Sequence, residues 1–97
     1  MPTYVVLLNW TDQGARSYKD TVDRAEAAAK ALEGLGGRMK DIYWTLGAYD
    51  VVAIAEAPDD ETATAFAMAT GGQGSIRSTT LRAFDRDEVR GILAKVG

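Results

Sequence analysis

The side chains of this sequence best suited to chemistry are Arg24, Arg77 and Arg82, the aromatics Trp10, Tyr43, Trp44 and Tyr49, and the carboxylate of Asp50. A guanidinium in a half-buried cleft is a planar fork for a carboxylate or phosphate. It is equally a partner for an acidic side chain. With 14 Asp and Glu in the chain, the ion pair is the first expectation for Arg24 and Arg82. Trp10, Tyr43 and Trp44 stand near the ends of apolar runs, where amphipathic rings line a pocket between sheet and helix, or pack a core or an interface between copies. Tyr49 and Asp50 belong to the turn Gly47-Ala48-Tyr49-Asp50. Glycine there supplies a positive φ and the aspartate accepts backbone N–H groups to close the turn, which leaves the Tyr49 phenol free for a ligand or a neighbouring subunit.

Two absences narrow the chemistry further. The chain has no Cys, which removes disulfides, thiolate nucleophiles and zinc–thiolate sites. It has no His, which removes the commonest general base and transition-metal ligand. If the protein is an enzyme, proton transfer falls to Tyr43, Tyr49 or Asp50, with an arginine stabilising an oxyanion. The acidic groups Asp12, Asp20, Asp23 and Asp59, Asp60, Glu61 lie where helices begin. They read as caps and dipole-favoured first turns rather than as metal ligands. Gly71-Gly72-Gln73-Gly74 follows a helix instead of joining a strand to one, so it reads as a helix stop, not a phosphate loop. Neither metal nor cofactor is expected.

These residues are positioned by a β-α-β-β-α-β pattern with a terminal helix. Tyr4 to Trp10 is an apolar, β-branched first strand. Thr11 to Gly14 forms a turn or one helical turn. A long helix is expected over Lys19–Leu35, with Tyr18, Val22, Ala25, Ala29 and Leu32 on its inner face, stopped by Gly34 and Gly36-Gly37. Arg38–Leu46 and Val51–Ala57 form a hairpin, with Met39, Asp41, Tyr43 and Thr45 on one side of its first strand and Lys40, Ile42, Trp44 and Leu46 on the other. Asp59 or Asp60 caps a helix to about Thr70, and Ser75–Phe84 is the last strand. Asp85 with Glu88 makes a capping box that opens a helix to about Lys95. One domain over residues 1–97 is expected, of α+β class: a four-stranded antiparallel sheet with two helices on one face.

Both faces of that sheet are apolar. Val5 and Leu7 point one way along the first strand, and Tyr4, Val6, Leu8 and Trp10 the other; Val51, Ala53 and Ala55 oppose Val52 and Ile54 on the third. Two helices cover one face only, so a second copy is expected on the other, in a homodimer or higher oligomer. A net charge of −3 argues against nucleic acid or an anionic membrane, and no apolar run is long enough to span a bilayer. A cytoplasmic setting follows as the default.

The strings Trp10-Thr11-Asp12-Gln13-Gly14, Arg24-Ala25, Leu35-Gly36-Gly37, Tyr43-Trp44-Thr45-Leu46-Gly47-Ala48-Tyr49-Asp50, Glu56-Ala57-Pro58-Asp59-Asp60 and Thr79-Thr80-Leu81-Arg82-Ala83-Phe84 resemble the GYD-domain family across nearly the whole chain. Ala48 stands where that family often has Glu. The resemblance implies the ferredoxin-like fold of the dimeric α/β-barrel superfamily, in which two sheets pack face to face. Its members include cofactor-free monooxygenases, lactone isomerases, haem-handling enzymes and amino-acid-sensing domains, and the absent His disfavours haem. A fold shared so widely does not fix a function. The first expectation is an oligomeric module that binds an aromatic or acidic metabolite through Trp10, Arg24, Tyr43, Trp44, Tyr49, Arg77 and Arg82. The alternatives are a cofactor-independent enzyme acting on a small aromatic or lactone substrate, and an accessory oligomer.

Overall fold

The computed structural model describes residues 1–97. Strand β1 (Thr3–Trp10) leads through a short helix α1 (Asp12–Arg16) and a single 3₁₀ turn (Tyr18–Asp20) into helix α2 (Thr21–Gly34). Strands β2 (Arg38–Trp44) and β3 (Val51–Glu56), helix α3 (Asp60–Gly72), strand β4 (Ile76–Ala83) and helix α4 (Arg86–Val96) complete the chain. The strands run in the order β2-β3-β1-β4 with every pairing antiparallel, the ferredoxin-like arrangement expected from the sequence.

Register divides the sheet residues into two sets. On the side of α2 and α3 stand Tyr4, Val6 and Leu8 of β1, Val51, Ala53 and Ala55 of β3, and Ile76, Ser78 and Thr80 of β4. Tyr4, Val6, Val51, Ala53 and Ala55, with Leu32 of α2, form the buried core. Small side chains on β3 let the helices approach closely, and the same need explains Gly37, where a Cβ would come within 2.5 Å of the Glu56 carbonyl oxygen. Gly14 is tighter still: a Cβ would lie 2.1 Å from the Ser75 carbonyl oxygen. Thr11 locks that junction. Its N–H donates to the Ser75 carbonyl, its hydroxyl donates to the Gly74 carbonyl and accepts the Gly14 N–H.

Several local expectations need correction. The long helix starts at Thr21, after the 3₁₀ turn, and not at Lys19. Its inner face is Thr21, Arg24, Ala25, Ala28 and Leu32, while Tyr18 and Val22 are left half-exposed. Strand β2 ends at Trp44: the Thr45 N–H still donates to the Asp50 carbonyl, but the Asp50 N–H turns to the Leu8 carbonyl instead of returning to Thr45, and Leu46 is thrown fully into solvent. A bulge between Met39 and Asp41 moves Met39 to the helix side, with Ile42 and Trp44, rather than beside Asp41 and Tyr43. The caps agree with expectation: Asp59 accepts the Thr62 N–H, and Asp85 with Glu88 forms the reciprocal capping box.

Candidate functional site

Of the residues singled out for chemistry, the structure brings three together. Trp10, Arg24 and Trp44 flank a cleft of about 80 Å³ between α2, the end of α3 and the sheet, with Thr21, Gln73 and Ser75 on its lip. Trp10 is the last residue of β1 and Trp44 the last of β2, so strand ends aim both indoles here. Trp44 is held by a 3.0 Å bond from its Nε1–H to the Thr21 hydroxyl. Arg24 makes no ion pair, contrary to expectation. Its guanidinium donates to the carbonyls of Ser17 and Gly14 and to the Ser17 hydroxyl, at 2.8 to 3.4 Å, and so splints α1 and the 3₁₀ turn onto α2. The orphan carbonyls at the end of a short helix attract it more than a distant carboxylate does.

The remaining candidates lie elsewhere. Tyr43 projects from the opposite face of the sheet, so the expected three-aromatic pocket does not form. The Asp50 side chain does not close its own turn. Its carboxylate accepts the Trp10 N–H at 2.9 Å and its own N–H donates to the Leu8 carbonyl, which ties the β2–β3 hairpin to the end of β1. The turn itself is closed by the Thr45 hydroxyl on the Tyr49 carbonyl, with Gly47 at φ +123°. Arg77 lies on the same face as Tyr43 and donates to its neighbour's carbonyl. Arg82 sits at the far end of the sheet, 3.3 Å from Glu88 and stacked over the rings of Tyr4 and Phe84. That is the ion pair its sequence context pointed to.

A buried polar contact that sequence reasoning missed occupies this far end. Tyr4, 4% exposed, donates its phenol proton to Asp60 at 2.5 Å. Burial, reinforced by the hydrogen bond to that carboxylate, pushes the phenol up to about 12. The shallow groove beside it, about 330 Å³, runs between α3 and β4 past Thr64 and Thr80. Its charged heads are already engaged, Asp60 with the Tyr4 phenol and Arg82 with Glu88.

A second apolar surface is the face of the sheet turned away from α2 and α3. Rows run across it in register: Tyr43, Val52, Leu7 and Thr79; then Asp41, Ile54, Val5 and Leu81; then Arg38, Glu56, Thr3 and Ala83. Two central rows are apolar at β3 and β1, and the Arg38–Glu56 ion pair at 3.0 Å bounds them at one end. Tyr43 and Leu81 are 58% and 47% exposed on the flanking strands. No helix packs on this face. The whole chain exposes 6426 Å², whereas a folded monomer of 10.4 kDa exposes about 5,400 Å². The excess of about 1,000 Å² is the amount one partner contributes to a standard interface.

The neighbours of this chain agree with its architecture. Residues 4–93 match the GYD domain. A protein of Thermus thermophilus described as "Glutamine synthetase and cystathionine beta-lyase binding protein" is 34% identical over 84 residues, covering 86% of this chain and 88% of that protein. The crystal structure of TTHA0845, also from Thermus thermophilus, shares the fold, with a TM-score of 0.57 and 24% identity over 88% of this chain and 95% of that one. By sequence, this chain belongs to the GYD domain family.

Proposed function

We propose that this protein is a homo-oligomeric protein-binding module that docks onto a metabolic enzyme, with two copies closing their open sheet faces on each other. The observation that carries this reading is the uncovered face of Val5, Leu7, Val52, Ile54 and Leu81, set in a chain with about 1,000 Å² more surface than its mass requires. A relative described as binding glutamine synthetase and cystathionine β-lyase supports an enzyme as the further partner. Catalysis finds less support in the geometry. Asp50 is spent on the Trp10 N–H and Arg24 on backbone carbonyls. The test is direct mixing of the purified chain with glutamine synthetase and with cystathionine β-lyase from the same source, followed by sedimentation velocity. A complex with either enzyme, at micromolar concentration, is expected. Free sedimentation of all three at tens of micromolar would refute enzyme docking.

A second reading is favoured by the meeting of Trp10, Trp44 and Arg24 at one cleft: an aromatic or acidic metabolite held between the indoles. The cleft's 80 Å³ lies well below the roughly 300 Å³ at which pockets for drug-sized ligands begin, so binding would require Trp44 to leave Thr21. Indole fluorescence during a metabolite titration tests this. A ligand should change the emission of the wild type and lose its effect in Trp44→Ala, which removes one of the two indoles that would hold it. No change with any aromatic or acidic metabolite at millimolar concentration would retire the reading.

A further inference from the structure

Helix α4 leaves the sheet in an unusual way. Its first turn is fixed twice: by the capping box of Asp85 and Glu88, and by the ion pair that Glu88 makes with Arg82 of β4. Beyond that turn no element packs along it. An eight-residue strand spans about 27 Å, yet the molecule is 51 Å long. The radius of gyration is 14.5 Å, against about 12.5 Å for a compact chain of this size. An eleven-residue helix, about 16 Å long, running on past the sheet accounts for much of the difference.

The projecting helix is not polar all round. Val89, Ile92, Leu93 and Val96 recur at three- and four-residue spacing and are 39%, 41%, 61% and 80% exposed. Arg86, Asp87, Arg90 and Lys95 occupy the rest of its circumference. A solvated helix with no partner would have no use for such a stripe, and eleven residues of it would fray in water. Because Arg82 and Glu88 set its direction, the helix is presented as an arm rather than folded back.

We infer that α4 is an exchange arm, whose apolar stripe packs on a second copy of this chain. The inference rests on the homo-oligomer proposed above and names a segment that completes it. Three observations select a second copy as the occupant. The surface excess matches one partner's share of a standard interface, and α4 contributes part of it. Two residues separate the arm from Ala83, the β4 residue in the outer row of the open sheet face, so the arm springs from the edge strand of the surface that the proposed dimer covers. A two-fold assembly through that face carries each arm past the other copy, and symmetry makes the exchange reciprocal.

The double substitution Leu93→Lys with Val96→Lys tests the inference, because these side chains are 61% and 80% exposed in the single chain and the change leaves its fold intact. Sedimentation of the wild type at a series of concentrations should give a dimer. The double variant should raise the dissociation constant at least ~100-fold, since two buried aliphatic side chains are lost on each of two arms. Hydrogen exchange supplies a second measurement: amides of residues 87–96 should be protected in the wild-type dimer and should exchange freely in the variant. A variant that dimerises as tightly as the wild type, or wild-type α4 amides that exchange freely within the dimer, would overturn the arm while leaving the sheet-face dimer standing. A monomeric wild type would overturn both.

Discussion

Replacing Leu81 by lysine is the most searching perturbation of the open face. Leu81 lies in the row that contains Ile54 and Val5, on the edge strand β4, and is 47% exposed in the single chain. Full burial of a leucine side chain is worth roughly 1.5–3 kcal/mol, so covering the exposed half contributes about 1 kcal/mol per copy. A two-fold interface counts each substitution twice. Leu81→Ala should therefore weaken dimerisation by about 2 kcal/mol, or roughly 30-fold. Lysine adds an ammonium that must be dehydrated or squeezed out of the contact, at several kcal/mol per ion. Leu81→Lys should therefore be monomeric at every practical concentration. In the single chain the substitution is mild, because lysine suits an exposed edge strand. Sedimentation velocity across 1 to 100 micromolar (roughly the span over which a standard interface of moderate affinity dissociates) gives the readout, with circular dichroism confirming the sheet. A Leu81→Lys protein that self-associates like the wild type would show that the open face is not the contact.

Other consequences follow from the buried contacts. Below pH 10 the Tyr4 phenol is neutral whether the chain is folded or not; between pH 10 and about 12 the unfolded chain loses the proton while the folded one retains it. Folding stability should thus fall by about 2–3 kcal/mol over that window, and urea melts of Tyr4→Phe should lose this component of the alkaline decline. Gly14→Ala should cost about 3 kcal/mol or more, seen as a large drop in Tm, because its Cβ meets the Ser75 carbonyl. Asp50→Ala should cost about 1–3 kcal/mol by orphaning the Trp10 N–H, while Tyr49→Phe should leave the melting curve unchanged. Equal effects of those two substitutions on stability would contradict the assignment of Asp50 as the hairpin's tether.

Alternation and turn chemistry made the sheet and its strand parity legible in the sequence. Arg77 fell beside Thr79 and Leu81, and Arg82 beside Ile76, Ser78 and Thr80, as their positions along β4 required. The helix caps and the glycine of the hairpin were equally local, and locality is what a single sequence records well. What escaped is non-local. Arg24 was expected to seek a carboxylate, but a short helix folding back upon α2 offered it carbonyl groups first. Tyr43 was grouped with Trp44 by adjacency, although neighbours on a strand face opposite ways. Met39 changed sides because a bulge, invisible in the residue pattern, shifted the register. The Tyr4–Asp60 bond joins residues 56 positions apart and left no periodic trace. The family strings are largely explained by such contacts: Gly14 against Ser75, Gly37 against Glu56 and Asp50 against Trp10 are demands of packing.

The molecular mass of the unmodified chain in solution decides the central issue. Sedimentation equilibrium at micromolar concentration should return a multiple of the 10.4 kDa chain mass, with the dimer as the smallest species. A folded, soluble species of 10.4 kDa at that concentration would mean that the apolar rows of β1 and β3 face water unaided, and the account of this protein as a self-associating module would fail.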